Sequence, residues 1–326
     1  MEMLKMIEPL TLGVDLGGTK VNVGLVDANG SLLCVHKSLI HASKKPEMVI
    51  EDILVGVQVC LSKSGQEAQA VGIGVAAQVD HTGVVRGSPN LGWRNFPLKK
   101  VLEKNLGLPV LVTNDVRAAT WGEWCYGSGR GVDDLVVLFV GTGVGGGAIS
   151  GRKILSGCTN SGGELGHITI VSDGRECRCP NRGCLEAYVG GWAIAERAKE
   201  AVRTTPENGK LLVSLAGSIE NITAAAVARA YHKADPLSRF LVEETGRYLA
   251  DGVVSIVNTF NPCIMVLGGG VIEGIPDLIQ SVKDIVPTLA LETAVENLKI
   301  VNAALGGNAG TIGAAALAQE LVTKTP

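Results

Sequence analysis

The sequence predicts an α/β protein made of two related halves, and three observations carry that expectation. Residues 10–16 are an apolar run ending in Gly17-Gly18, and residues 20–26 then alternate apolar and polar before the turn Asp27-Ala28-Asn29-Gly30. That pattern specifies a β-hairpin with a glycine tip. The same order of strand, glycine turn, strand and turn recurs at 134–140, Gly141-Thr142-Gly143, 146–149 and Ser150-Gly151-Arg152. Between the two hairpins lie a helical pattern with Ile50, Ile53, Leu54, Val57 and Leu61 on one face and strands at 70–76 and 110–113.

The remaining elements follow in chain order. Pro89-Asn90-Leu91-Gly92-Trp93 reads as a loop, and residues 116–121 as the hinge between the halves. Helices are expected at 187–203 and 238–258, with the polar interval 204–209 as a loop. Residues 263–267 form a short buried strand that ends in Gly268-Gly269-Gly270. Gly306-Gly307 precedes an alanine-rich helix at 308–321, expected to pack back on the first half.

At 326 residues the chain suffices for two domains with separate cores, and its 46% apolar content supports that. With 19% charged residues and a formal net charge of -3, no basic face for nucleic acid or an anionic membrane is expected. The most apolar stretch, 135–149, is interrupted by five glycines and is not a membrane span. The first ten residues carry two glutamates and no apolar signal core, so a cytoplasmic protein with reduced cysteines is expected.

The most informative segment runs from Glu164 to Glu186 and holds His167, Cys177, Cys179 and Cys184. Three thiolates and one imidazole close a tetrahedral zinc shell with no open position, so the zinc would be structural. The alternatives are ordinary core cysteines or a disulfide. Arg175, Arg178, Asn181 and Arg182 are poor company for a core, and the reducing compartment argues against a disulfide. The other five cysteines, Cys34, Cys60, Cys125, Cys158 and Cys263, read as buried free thiols. A fixed metal would also fix the directions of Glu164 and Glu186, which suits a polyhydroxylated ligand.

Asp15-Leu16-Gly17-Gly18-Thr19-Lys20 puts an acid at a strand end before a turn with no side chains to block approach. A phosphate can then lie against backbone N–H groups, with the Thr19 hydroxyl donating and Asp15 reaching a hydrated magnesium ion. A glycine-tipped hairpin is also a common structural turn. The second tip, Gly141-Thr142-Gly143, favours the phosphate reading, because two tips can hold a phosphate chain from opposite sides. No Gly-Lys-Ser/Thr follows either tip, and a strand rather than a helix follows Gly17-Gly18, so neither a P-loop nor a dinucleotide fingerprint is present. Asn114-Asp115 closes the strand at 110–113, and Asp115 is the candidate general base for phosphoryl transfer to an alcohol. The alternative is that Asp115 caps the following helix.

Taken together, residues 15–20, 89–93, 113–119, 140–147, 163–167, 177–186 and 267–270 resemble the ROK family of sugar kinases, particularly its bacterial glucokinases, in family order over nearly the whole chain. The resemblance implies the actin-like, Hsp70-like ATPase (ribonuclease H-like) fold. A smaller N-terminal domain, 1–117 plus 308–326, and a larger one, 118–307, would flank a nucleotide cleft. It implies ATP and magnesium as cofactors beside zinc, sugar and nucleotide as partners, and a dimer or tetramer. By the same resemblance Asp115 activates the sugar 6-hydroxyl, while Asn90, Asn114, Asp115, Glu164, His167 and Glu186 bind the sugar. Asp15, Gly17, Gly18, Thr19, Lys20, Thr142 and Gly143 handle phosphate and magnesium, and Gly268, Gly269 and Gly270 let adenosine lie on backbone. His167 would give one ring nitrogen to zinc and the other to a sugar hydroxyl.

Two departures stand out. Pro180 replaces a usual glycine in the zinc loop without removing a ligand, and Ala76-Ala77-Gln78 stands where many members have Pro-Gly beside the sugar. Glucose is the expected substrate, with N-acetylmannosamine or N-acetylglucosamine as rivals. Repressor members carry a helix-turn-helix ahead of the first hairpin, and here nine residues precede Leu10.

Overall fold

The computed structural model describes residues 9–323, so most of the segment read above for a leader lies outside the described residues. The chain divides into two compact units. One comprises Met1–Gly131, Ile154–Gly162 and Ala304–Pro326, the other Val132–Lys153 and Gly163–Ala303.

In the first unit, β1 (Thr11–Leu16) and β2 (Lys20–Val26) form the expected glycine-tipped hairpin, closed by the Gly17 N–H on the Lys20 carbonyl at 3.0 Å. β3 (Leu32–Leu39) lies antiparallel to β2, and only its alternate residues are exposed, as befits a sheet edge. Helix α1 (Pro46–Ser64) starts on a proline, whose missing N–H costs nothing there, and stops at Gly65 with φ 63°. β4 (Ala70–Val75) is buried along its whole length, as expected of a strand covered on both faces. A small antiparallel sheet of β5 (Gln78–Val79), β6 (Val85–Ser88) and β7 (Trp93–Phe96) is followed by α2 (Leu98–Leu106), β8 (Val110–Asn114) and α3 (Asp115–Tyr126). The main sheet has the order β3-β2-β1-β4-β8, with β1, β4 and β8 parallel.

The second unit repeats that plan. β9 (Leu135–Val140) and β10 (Val144–Ser150) form a hairpin across Gly141-Thr142-Gly143, with the short β11 (Lys153–Ile154) beyond them. Then come α4 (Glu186–Val189), α5 (Gly191–Thr204), α6 (Lys210–Ala216), α7 (Ala224–Tyr231) and α8 (Pro236–Phe260). They are followed by β12 (Ile264–Gly268), α9 (Gly270–Gly274), α10 (Asp277–Leu289), α11 (Glu292–Val295) and β13 (Lys299–Asn302). The sheet order β11-β10-β9-β12-β13 again puts the first hairpin strand at the centre, antiparallel to its hairpin mate and parallel to a later strand. This is the expected two-domain actin-like pattern of related halves.

The last helix, α12 (Ala309–Thr323), returns to the first unit as expected. Its approach is set by glycines. A Cβ on Gly13 would strike the Thr311 carbonyl, one on Gly72 the Ala314 carbonyl, and one on Gly313 the Ala118 carbonyl. The Thr11 hydroxyl donates to the Ala315 carbonyl at 3.0 Å, fixing register.

The structure corrects several expectations. The helix expected at 187–203 is broken at Gly190, which is extended (φ -61°, ψ 146°) and separates α4 from α5. The 204–209 interval contains a 3-10 turn, Pro206–Gly209, and leads into two helices that the sequence reading did not contain, α6 and α7. α3 runs unbroken through both the expected hinge and the 117/118 boundary, with the Thr120 hydroxyl donating to the Val116 carbonyl at 2.8 Å. Of the five cysteines expected to be buried, only Cys60 is; Cys34 and Cys125 are partly covered, and Cys158 and Cys263 are exposed. No described helix is long and apolar enough to cross a membrane.

Candidate active site

In the second unit the 3-10 turn Leu165–His167 is seated on β10 because two glycines leave room for it. A Cβ on Gly166 would strike the Val144 carbonyl, and one on Gly146 would lie 2.7 Å from the Leu165 side chain. Beyond the turn the chain runs out and back on itself. The Leu185 N–H reaches the Ile168 carbonyl at 2.9 Å, Ile170 N–H reaches Gly183 at 2.8 Å, and Cys177 N–H reaches Asn181 at 3.2 Å. This brings the ligand atoms of His167, Cys177, Cys179 and Cys184 within 4.8 Å of one another. Cys177 Sγ is 3.7 Å from His167 Nδ1, and Cys179 Sγ is 3.6 Å from Cys184 Sγ. A tetrahedron with metal–sulfur bonds of about 2.3 Å has edges of about 3.8 Å, so the donor set fits a zinc ion and these two separations match its edges. With Nδ1 facing Cys177, His167 keeps Nε2 for another partner.

Glu186 opens α4 two residues after Cys184 and is tied to the second hairpin. Its Oε2 accepts the Val144 N–H at 2.8 Å, its Oε1 accepts the Trp192 Nε1–H at 3.2 Å, and a Cβ on Gly143 would collide with Oε2. Each oxygen retains a second lone pair, so the carboxylate can still accept from a sugar hydroxyl. Glu164 is exposed, and its carbonyl accepts the His167 N–H at 3.0 Å. The break at Gly190 lets the Gly191 N–H reach the Gly141 carbonyl at 2.9 Å and the Trp192 N–H reach the Thr142 carbonyl at 3.0 Å. Beside this turn lies a cavity of about 1030 Å³, lined among others by Gly141, Thr142, Trp192, Thr223, Gly270 and Ile275. Its size suits a nucleotide. Of the three consecutive glycines only Gly270 borders it. Gly268 makes room for Ala303 and Phe139, and Gly269, at φ 93°, for the Val140 backbone. The turn's contribution to the wall is likewise Gly141 and Thr142, with Gly143 turned to Glu186.

In the first unit Asp15 lies at the end of β1, with Asn22 Nδ2 donating to its Oδ2 at 3.2 Å and Gly310 of α12 packed against it. Burial raises its pKa, opposed by the Asn22 hydrogen bond and the charge of Lys37. Thr19 and Lys20 are exposed at the hairpin tip. Gly18 faces Asn90: a Cβ there would come within 2.8 Å of the Asn90 Cβ. The loop bearing Asn90 is braced by Lys44, whose Nζ donates to the Asn90 carbonyl at 2.8 Å while its own carbonyl accepts the Trp93 Nε1–H at 2.8 Å.

At the start of α3 the capping group is Asn114, whose Oδ1 accepts the Arg117 N–H at 3.0 Å. Asp115 sits in the first turn, its Oδ1 accepting the Val116 N–H at 2.9 Å. Arg117, 6% exposed, donates to Asn160 Oδ1 at 2.6 Å and to the carbonyls of Asn160 and Gly162 at 3.0 and 3.1 Å. It thereby ties to α3 the segment that ends two residues before Glu164.

The ROK family pattern matches residues 11–321. The chain belongs to the ROK family. It is 36% identical to the glucokinase of Streptomyces coelicolor, over 95% of this chain and 98% of that one. It is 34% identical to the glucokinase of Thermotoga maritima, again over 95% and 98%. The crystal structure of a ROK family glucokinase from Streptomyces griseus, in complex with glucose and AMPPNP, superposes with a TM-score of 0.84 at 36% identity, covering 95% of this chain and 99% of that one.

Several residues of this ROK chain escaped sequence reasoning. Trp192 and Thr223 line the cavity and Arg117 braces α3; Trp192 follows Gly190-Gly191 and Arg117 lies within 113–119, but nothing local to either marks the contact it makes. Their signal is tertiary. Only Arg178 could have been found from sequence, as a cation placed between two cysteines of the ligand set.

Proposed function

We propose that this ROK protein transfers the γ-phosphoryl group of ATP to the 6-hydroxyl of glucose. The observation that carries this reading is the start of α3, where Asn114 supplies the helix cap, so the neighbouring Asp115 is not required for it. Asp115 would orient the sugar hydroxyl and take its proton as the phosphorus–oxygen bond forms. The identity to proteins named glucokinase, at 34% and 36% over nearly the full chain, supports the choice of sugar and donor.

Asn90, Asn114, Glu164, His167 and Glu186 would bind the remaining sugar hydroxyls. Gly17, Gly18, Thr19 and Lys20 at one hairpin, and Thr142 and Gly143 at the other, would hold the phosphate chain through backbone N–H groups and hydroxyls. Asp15 would hold magnesium, which when bound neutralises phosphate charge. His167, Cys177, Cys179 and Cys184 would hold zinc, which fixes the His167 ring so that Nε2 meets the sugar.

The test is a coupled assay with ATP against glucose, mannose, fructose, N-acetylglucosamine and N-acetylmannosamine. Glucose is expected to give the highest kcat/KM. Asp115→Ala is expected to lower kcat by about 10²–10⁴-fold while glucose still binds. Undiminished turnover in that variant sinks the assignment of the base, and preference for an N-acetylated sugar sinks the assignment of substrate.

A further inference from the structure

Trp192 is held at the cavity wall by three contacts. Its backbone N–H meets the Thr142 carbonyl at 3.0 Å, its Nε1–H meets Glu186 Oε1 at 3.2 Å, and its ring lies under the Arg178 guanidinium, 4.6 Å from centroid to Cζ. Arg178 lines the same cavity. The other cations of that wall are engaged elsewhere: Lys199 pairs with Glu196 at 2.9 Å, and Arg229 donates to the Leu215 carbonyl at 3.2 Å. The neighbouring arginines of the cysteine loop are engaged too, Arg175 with Glu200 at 2.6 Å and Arg182 with Glu176 at 2.8 Å. Among the described residues Arg178 alone of these five makes no hydrogen bond to a carboxylate or carbonyl, and its guanidinium lies over an aromatic face in the lining of a cavity that Thr142 also borders.

A guanidinium placed over an aromatic face is held by the ring without using up its N–H donors, which can then grip phosphate oxygens in pairs. We propose that Arg178, positioned by Trp192, binds the phosphate chain of the nucleotide. This deepens the ATP-dependent reading and rests on it. Because Arg178 stands between Cys177 and Cys179, the loop that orients His167 toward sugar would also deliver a phosphate ligand. Loss of the metal would then loosen both substrates rather than sugar alone.

Equilibrium binding of ATP, ADP and adenosine to the full-length protein tests this without relying on turnover. Arg178→Gln is expected to weaken ATP and ADP by about ten- to a hundred-fold, the worth of a charge-assisted contact, and to leave adenosine unchanged. Arg178→Lys should recover part of the loss, since charge remains but the paired geometry does not. Trp192→Phe keeps a ring under the guanidinium and should retain the preference for phosphorylated ligands, whereas Trp192→Ala should lose it. Removal of the metal by a chelator should reproduce the Arg178→Gln pattern. Equal weakening of adenosine and ATP, or none in Arg178→Gln, overturns the role of Arg178 while the wild type still binds ATP. A wild type that binds none of the three overturns the ATP reading itself, and the role of Arg178 with it.

Discussion

Asp15 bears a cost of its position. Burial raises its pKa above the ordinary 3.8, more than the Asn22 hydrogen bond and Lys37 lower it. The folded protein therefore holds this proton more tightly than the unfolded chain does. The corresponding stability is fully present below 3.8 and is lost as pH rises through the higher folded value. At neutral pH the ionised carboxylate destabilises the fold, so Asp15→Asn is expected to melt at a higher temperature than the wild type. The gain should vanish in acid, and phosphoryl transfer should fall. Thermal melts of both proteins across the acid range check the sign, and a variant less stable at neutral pH contradicts it. At this scale the grouping of His167, Cys177, Cys179 and Cys184 was legible because they are close in sequence and chemically distinctive. The engagement of both Glu186 oxygens was not, because Val144 and Trp192 reach them only after the hairpin and α5 have packed.

Both hairpins were legible because a glycine turn between apolar runs is a local code. The break between α4 and α5 was not, since apolar periodicity continues across Gly190 and the interruption comes from Gly191 and Trp192 bonding to the distant second hairpin tip. The α12 packing was legible in outline, from its alanines, but its closeness depends on glycines in β1 and β4. Gly72→Ala would drive a Cβ into the Ala314 carbonyl, backbone against backbone, and should destabilise the protein by about 3 kcal/mol or more. Gly87→Ala, with nothing within 4 Å of the added atom, is the matched control and should be near neutral. Denaturant titration of the pair separates steric closeness from the general effect of losing a glycine.

Across the whole molecule the two sheets share one strand order, which a repeat of turn motifs could announce, but the division of the chain is less simple than a single boundary. The excursion of Ile154–Gly162 into the first unit depends on Arg117, and the return at Ala304 on Glu123. Fully buried, Glu123 accepts N–H groups of Ser128, Ala304 and Leu305 at 3.0, 3.1 and 2.8 Å. No local pattern encodes such long-range pairings. A chain ending at Ala303 is expected to keep a protease-resistant second unit while the first is digested, as read by limited proteolysis and mass spectrometry. Equal resistance of both units would show that α12 is dispensable. The placement of α12 also sets a timetable for biosynthesis. The strands that α12 covers are synthesised before the second unit and their cover after it, so that sheet must wait through the synthesis of the whole second unit with its glycine-lined face open. The second unit, contiguous but for one excursion, can close while the first is still waiting. Nascent chains of this protein should therefore depend on chaperones at the first sheet until α12 has emerged.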